Sequence, residues 1–290
     1  MKTKLFQADF LLLITAFIWG GSFVIVKGAL EVISPLQVIA YRFTLAFIFL
    51  SLFYAKTAFG RWRKYLFPGI YLGLLLGIAF TAQTYGLRYS TPSTSAFITG
   101  LNVVMVAVCE ALFFRKKLPF FSGLGVLIAT VGLSVLTWKG CPQFQIGDFL
   151  TLICALFFAL HIVATGRLVT TRQAGPLTVY QFGTVSILAW ILSSPHLEQA
   201  VVPAMAWPSL VYLGILSTAL AFLFQTTAQR RTTPVRTAII LSTEPAFAAL
   251  IAVVLGYEKI SIKLTIGGLL ILIGMILTSL EEPPRKKEDK

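Results

Sequence analysis

Long apolar segments follow one another along the whole chain, separated by short polar stretches. Each has about 20 residues, the length that an α-helix needs to cross a hydrocarbon core of about 30 Å. Prolines lie at or near the beginning of many segments, where the missing backbone N–H costs little. The pattern therefore predicts ten membrane-spanning helices, at residues 8–27, 35–54, 67–87, 93–114, 119–138, 147–167, 176–194, 207–228, 235–256 and 261–280.

The composition explains why these segments cannot all be packed inside a soluble domain. Hydrophobic residues make up 57% of the chain and charged residues only 12%, whereas soluble domains carry about 25% charged residues. The surplus apolar surface must therefore face lipid, and the predicted fold class is an all-α membrane protein. The first apolar run is too long for the core of a signal peptide, so we expect it to be retained as the first helix.

The basic residues are distributed unevenly between the two sides of this predicted topology. Eighteen Lys and Arg side chains fall at the termini and in one set of alternate loops, and five fall in the other set. The positive-inside rule predicts that the richer set, with both termini, is cytoplasmic. The net charge of +13 is then an orientation signal facing anionic lipid, and we expect no nucleic-acid partner. The expected location is the cytoplasmic (inner) membrane.

The second half of the chain repeats the first at a shift of 142 residues. The matched pairs include Gln83 with Gln225, Arg88 with Arg230, Pro92 with Pro234, Gly125 with Gly267, and Gly132 with Gly274. A repeat of five helices inverts the second half relative to the first, an arrangement that many secondary transporters build around a midplane site. We therefore predict two inverted five-helix repeats around a central cavity, at residues 1–140 and 141–281, and a charged cytoplasmic tail at 282–290.

Short motifs occur in a fixed order along the chain. They are Trp19-Gly20-Gly21-Ser22-Phe23, Ser34-Pro35 with Tyr41-Arg42-Phe43, Gln83 through Ser95, and Glu244-Pro245 with Leu255-Gly256-Tyr257-Glu258. In these motifs, across about residues 8–280, the chain resembles the drug/metabolite transporter superfamily, in its ten-helix EamA-type branch. The resemblance implies a secondary transporter, often an exporter of amino acids or other metabolites. It does not imply one particular substrate.

Ionisable side chains inside the predicted spans are the first candidates for a transport site, because charges in hydrocarbon usually face a cavity or a partner. Glu244, before Pro245, could bind a substrate ammonium, exchange a proton, or form a structural pair with Arg42 or His161. Arg42 could hold a carboxylate or phosphate, or extend towards the outer headgroups. His161 could relay protons or be a hydrogen-bonded packing residue.

Polar and aromatic side chains complete the set of predicted site residues. Asn102 is the repeat counterpart of Glu244 and shares a helical face with Thr99. The repeat mates Gln83 and Gln225 could flank the cavity or form an interhelical hydrogen bond. Aromatic rings that could stack on a planar substrate, or instead anchor helices at the membrane interface, are Trp19, Tyr41, Tyr85 and Tyr180.

Motifs for other chemistries are missing from the sequence. It has no HExxH, no GxSxG, no paired acidic metal motif and no P-loop, and its three cysteines have no CxxC spacing. We therefore expect no enzyme, no cofactor, no metal site and no ATP-driven pump. The expected partners are a small-molecule substrate, the lipid bilayer and, as a coupling ion, the proton. Two alternatives stay open: a membrane-embedded enzyme, and a non-transporting scaffold or sensor with a cavity filled by side chains.

Overall fold

The computed structural model describes residues 2–90, 92–114, 119–137, 145–193, 202–254 and 262–281, which form helices and no strand. The α-helices are α1 (Lys2–Ala29), α2 (Pro35–Gly60), α3 (Trp62–Tyr89), α4 (Pro92–Gly100), α5 (Asn102–Phe114), α6 (Phe120–Thr137), α7 (Ile146–Leu168), α8 (Ala174–Ser193), α9 (Trp207–Val211), α10 (Ala221–Ala228), α11 (Pro234–Leu241), α12 (Glu244–Val254) and α13 (Ile262–Glu281). A π-helix (Tyr212–Leu220) joins α9 to α10. The predicted boundary between the repeats at 140/141 and the tail at 282–290 lie outside the described residues.

Within these ranges, six helical stretches are long and apolar enough to cross a membrane. They are Leu5–Ala29, Pro35–Gly60, Trp62–Tyr89, Ile146–Thr171, Ala174–Ser193 and Ala204–Ala228. Shorter apolar stretches at Ile98–Phe113, Gly123–Gly132 and Thr265–Gly274 coincide with predicted spans four, five and ten. The described helices fit a multi-pass membrane protein, and the count of ten spans remains a prediction.

The prolines begin some helices but not all of those expected. Ser34 caps α2 with a capping box to Gln37, directly before Pro35, and Thr233 caps α11 before Pro234. The third helix is predicted to begin at residue 67, beside Pro68, but α3 begins at Trp62 and Pro68 lies inside it. Residues 62–67, which include Arg63 and Lys64, extend the helix before Pro68, so the apolar run alone underestimates its length.

Two predicted helices are interrupted near their middle, at positions related by the 142-residue shift. Predicted span four is divided into α4 and α5 at Leu101, and predicted span nine into α11 and α12 at Ser242 and Thr243. The second fragments begin at Asn102 and Glu244 respectively. Sequence patterning predicts continuous helices here. The interruptions release backbone groups from the regular ladder, which is tolerated at membrane depth where the backbone is buried or lines a cavity.

Glycines bring α6 and α13 into close contact at a crossing that obeys the same shift. A Cβ atom added to Gly132 would lie 2.8 Å from the carbonyl oxygen of Gly267, and one added to Gly274 would lie 2.6 Å from that of Gly125. The same shift relates the two contacts, because 132 plus 142 is 274 and 267 minus 142 is 125. Small residues at such crossings let two backbones approach in a membrane.

Other glycines position the helices that surround the centre of the bundle. In α3, Gly69 and Gly73 pack against Tyr180 and Thr184 of α8. Apolar clusters then fill two regions, one around α1, α5 and α11 and the other around the phenylalanines of α2, α3, α8 and α10. Trp19 contacts both clusters, so it lies at the boundary between them, which is where the cavity described next is found.

Candidate substrate site

A small cavity lies between the two apolar clusters, beside the interruptions of both broken helices. Its volume is about 30 Å³, room for about one or two water molecules. Pockets that enclose drug-sized ligands measure about 300–1,000 Å³, so the cavity is too small for such a ligand in this structure. Its lining residues are Trp19, Ser22, Phe23, Arg42, Phe80, Gln83, Thr99, Asn102, Phe158, Ile162, Gln225, Leu241 and Glu244.

Arg42 is the cation of this cavity, and it is held by the other half of the chain. Its Nη2 donates to Ser217 Oγ at 3.1 Å and its Nε donates to Thr218 Oγ1. The guanidinium carbon lies 4.4 Å from the centre of the Phe80 ring, a cation–π distance. The residue is only 3% exposed, so its side chain points inward and does not extend towards the headgroups.

The π-helix between α9 and α10 provides the groups that hold Arg42. Stretches of π-helix are rare but are frequent at functional sites. Here Thr218 Oγ1 donates to the Leu213 carbonyl at 2.7 Å, and the Ser217 carbonyl accepts a 2.8 Å hydrogen bond from Trp19 Nε1. The first half has Leu75 and Leu76 at the corresponding positions, so the two predicted repeats differ here.

Glu244 is the acidic residue of the cavity. It makes no hydrogen bond or salt bridge with any described residue, although it lines the same cavity as Arg42. Its backbone is fixed by α1, since a Cβ added to Gly20 would lie 3.0 Å from the Glu244 carbonyl oxygen and 2.9 Å from the Ala248 nitrogen. The glycine in the Trp19-Gly20-Gly21 motif therefore brings the first helix against the broken ninth span.

Amide side chains add hydrogen-bonding groups between these two charges. Gln83 Nε2 donates a weak hydrogen bond of 3.4 Å to Thr99 Oγ1, and Gln225 Nε2 donates one of 3.4 Å to Gln229. Asn102 Oδ1 and Gln225 Oε1 are buried without a partner among the described residues. Buried polar atoms are normally satisfied, so these oxygens are available to accept hydrogen bonds from a ligand or from water.

Aromatic rings form the walls of the cavity. Trp19 packs on Phe222 at 4.9 Å between ring centres, and Phe80 packs edge-on against Phe158 at 5.3 Å. Rings of this kind offer apolar faces to a ligand while the polar groups fix its orientation. The site thus combines one cation, one carboxylate, three amides and a largely aromatic wall.

Four of the predicted site residues, including Tyr85, do not line this cavity. His161 is fully buried, with Nε2 2.8 Å from Gln181 Oε1 and its ring against Phe222. Tyr41 packs between Trp190 and Trp207. Tyr180 donates to the Ala58 carbonyl at 3.4 Å. The structure brings seven of the eleven predicted residues together: Trp19, Arg42, Gln83, Thr99, Asn102, Gln225 and Glu244.

Polar contacts tie the helix ends together above and below the cavity. At the predicted cytoplasmic end, Arg236 donates to Asp9 through Nε and Nη2, at 2.9 and 2.6 Å. At the other end, Lys27 Nζ donates to the carbonyls that end α3, including Leu87 at 2.7 Å. Glu110 is expected to pair with Arg115, which lies outside the described residues; its carboxylate accepts from Arg167 at 3.2 Å.

Several residues that line the cavity or hold Arg42 in place do not stand out in the sequence. Phe23, Phe80, Phe158, Ile162 and Leu241 are apolar residues within apolar spans, so nothing in the pattern distinguishes them from lipid-facing neighbours. Ser217 and Thr218 carry a usable signal, because adjacent hydroxyls in an apolar span tend to bond across helices. Gly100 directly precedes the interruption at Leu101, and Pro245 follows the interruption at Ser242–Thr243; a glycine or proline inside an apolar segment is the sequence sign of a broken helix.

Comparison with known proteins identifies similar chains. The model of the EamA-like transporter family matches residues 6–138 and again residues 145–280. An uncharacterized transporter of Archaeoglobus fulgidus is 31% identical over 281 residues, which cover 96% of this chain and 87% of that protein. The uncharacterized transporter YyaM of Bacillus subtilis is 22% identical, with 90% and 89% covered. A solved structure, titled "Crystal structure of protein", has a TM-score of 0.72 and 20% identity over 94% of this chain and 96% of that one, so the likeness concerns the fold.

Proposed function

This chain belongs to the EamA-like transporter family, within the drug/metabolite transporter superfamily, and is a membrane transporter; from that premise we propose that it is a secondary transporter that exports a small zwitterionic metabolite such as an amino acid. The observation that carries the substrate class is that one basic and one acidic side chain line the same cavity. Arg42 and Glu244 both line it, and no salt bridge joins them.

A zwitterion satisfies both charges at once. Its carboxylate matches the guanidinium of Arg42, which binds carboxylates through its fork of donors. Its ammonium matches the carboxylate of Glu244, and the partnerless oxygens of Asn102 and Gln225 can accept the remaining ammonium hydrogens. A buried charge that is left unpaired is costly, so a ligand that pairs both is favoured over a neutral or singly charged one.

Alternating access of two inverted repeats is the proposed mechanism. Three observations support it: the family matches the chain twice, the two interruptions are related by the 142-residue shift, and the glycine crossing of α6 and α13 obeys that shift. Broken helices at equivalent positions are typical of midplane transport sites. The cavity of about 30 Å³ must widen to admit a metabolite, so the two halves must move relative to each other during transport.

The direction and the coupling are also part of the proposal. The resemblance to metabolite exporters supports export, and the eighteen-to-five distribution of basic residues supports a cytoplasmic position for both termini in the inner membrane. A carboxylate without a partner, such as Glu244, can bind a proton in place of the substrate ammonium. Exchange of substrate against protons is therefore the proposed source of energy.

The test is a flux assay in proteoliposomes that contain the full chain. Uptake of labelled amino acids is measured with and without an inward or outward pH gradient, for the unaltered protein and for Glu244→Gln. Loss of a buried charge partner costs about 2–5 kcal/mol, so we expect flux of the variant to fall by at least about 30-fold at low substrate concentration. Glu31→Gln, which removes an exposed carboxylate outside the cavity, is the matched control and should retain full flux.

Other outcomes would count against the proposal in different ways. No saturable flux of any amino acid, nucleobase or sugar phosphate would favour the non-transporting scaffold, which accounts equally for a cavity as small as this one. Full flux in Glu244→Gln would leave transport standing and remove Glu244 from the substrate site. Flux that ignores the pH gradient would contradict proton exchange and favour facilitated diffusion. Chemical conversion of the substrate would instead favour an enzyme.

A further inference from the structure

A second, larger cavity lies on the outside of the bundle, between α3, α7 and α8. Its volume is about 510 Å³, which is within the range of pockets that bind small ligands. Its lining is almost wholly apolar, and Ile78 and Ile191 at its rim are exposed, by 43% and 60%. These helices are among those long and apolar enough to cross a membrane, so the groove opens towards the hydrocarbon of the bilayer.

The groove has the length of one lipid leaflet. Along α3 its lining extends from Leu74 to Tyr85, which at 1.5 Å per residue is about 16 Å. Half of a hydrocarbon core of about 30 Å is about 15 Å. Tyr85 lies four residues before the end of α3 and Leu74 lies near its middle. The groove therefore begins near one membrane surface and ends near the midplane, as an acyl chain does.

A basic side chain, Arg88, lies at the surface end of the groove. Arg88 follows Thr81 and Tyr85 on the same face of α3, at the spacing of successive helical turns. Its side chain is exposed and has no hydrogen-bond or ion-pair partner among the residues that the structure describes. The carboxylate of Asp148 at this end is buried and already accepts hydrogen bonds from Ser90 and Gln145. The guanidinium is thus available to an anion at headgroup depth.

We propose that this groove binds one phospholipid, with an acyl chain between α3, α7 and α8 and the lipid phosphate on Arg88. An apolar groove the length of a leaflet and a free guanidinium at its surface end match the two parts of that molecule. Arginine pairs with phosphate through two parallel hydrogen bonds. The site is separate from the Arg42–Glu244 cavity, since the two share no lining residue, and it does not depend on which substrate is transported.

Gly77 allows the groove to be filled without disturbing the helix contact behind it. A Cβ added there would lie 3.7 Å from the nearest atom, a methyl group of Val185, which is ordinary van der Waals contact. In Gly77→Leu the rest of the side chain must occupy the groove that Gly77 lines. Thr81→Phe, from the same lining, is a second variant that fills the groove. Ala111→Leu adds apolar volume at an exposed position on α5, away from the groove, and is the control.

The experiment is native mass spectrometry of the full chain released from nanodiscs of phosphatidylglycerol or phosphatidylethanolamine. We expect one phospholipid retained by the unaltered protein and by Ala111→Leu, and none by Gly77→Leu and Thr81→Phe. Arg88→Gln should lower the retained fraction about fivefold, because one basic residue contributes roughly that factor at a lipid surface. Circular dichroism and thermal melting establish that every variant is folded.

The other results would overturn the proposal. Equal lipid retention in the unaltered protein and both groove-filling variants would mean that the groove holds no lipid. Equal loss in Ala111→Leu would mean that retention depends on the general apolar surface. Loss in the groove variants with unchanged retention in Arg88→Gln would refute the phosphate contact at Arg88.

Discussion

Replacing Thr218 by valine tests whether the π-helix sets the position of Arg42, the proposed substrate-binding cation. Valine has nearly the same shape as threonine but no hydroxyl, so Thr218→Val removes the acceptor of Arg42 Nε and the donor to the Leu213 carbonyl. The prediction rests on the proposed function, in which Arg42 binds the carboxylate of the substrate. Thr218 acts through Arg42, since it does not line the cavity itself.

The size of the effect follows from the contacts that remain. A hydrogen bond to a charged group contributes about 1.5–3 kcal/mol, and about 1.4 kcal/mol corresponds to a tenfold change in affinity. Ser217 and the Phe80 ring still hold the guanidinium in the variant, so the lower end of the range applies. We expect KM for amino-acid flux to rise about tenfold while the maximal rate per folded protein changes little.

The assay is flux in proteoliposomes over a range of substrate concentrations, normalised to folded protein. Thr218→Ser keeps the hydroxyl that accepts the charge-assisted hydrogen bond from Arg42, so its KM should lie within about twofold of that of the unaltered protein. An unchanged KM in Thr218→Val would refute the reasoning, since Arg42 would then be positioned without this hydroxyl. An equal rise of KM in Thr218→Val and Thr218→Ser would also refute it, because the methyl packing of threonine would then matter and its hydroxyl would not.

Two further predictions concern the contacts that hold the bundle around the site. Gly20→Ala forces a Cβ to within 2.9 Å of the Ala248 backbone and should lower stability by about 1–3 kcal/mol, measured as a lower melting temperature. Gly28→Ala is the control, because a Cβ there has no atom of a neighbouring element within 4 Å, and its melting temperature should not fall. Equal shifts in the two variants would contradict the close approach at Gly20. Asp9→Asn breaks the two-bond pair with Arg236 and should cost about 2 kcal/mol. Adding Arg236→Gln should cost little more, and fully additive losses would contradict direct coupling.

Most of the polar residues of the cavity could be predicted because burying polar or charged side chains in a membrane costs free energy. Arg42, Glu244, Gln83 and Gln225 stand out in apolar spans, since polar groups there must find a partner or a cavity. The same rule also selects His161, which has a buried hydrogen bond to Gln181 and lies outside the cavity. Sequence identifies that a polar side chain needs a partner, but tertiary packing decides whether the partner is another helix or a ligand.

The geometry that holds the site could not be predicted from the pattern of apolar residues. A π-helix has the same composition as the α-helix that it interrupts, and its extra width here is stabilised by contacts with Trp19 and Arg42, which are about 175 to 200 residues away in sequence. The interruptions at Leu101 and at Ser242–Thr243 could have been inferred from Gly100 and Pro245. An unbroken apolar run nevertheless favours one continuous helix, because length is the stronger signal.

The glycine crossing of α6 and α13 has a consequence for how such a chain can arise. Gly132 contacts Gly267 and Gly274 contacts Gly125, so each side presents the same two positions to the other. This is the contact pattern of an isologous interface, the kind that joins two identical subunits about a two-fold axis. One small chain inserted into the membrane in both orientations would supply both sides of that interface. A single gene that joined two such copies would keep the interface while each copy could diverge, for instance at Asn102 and Glu244.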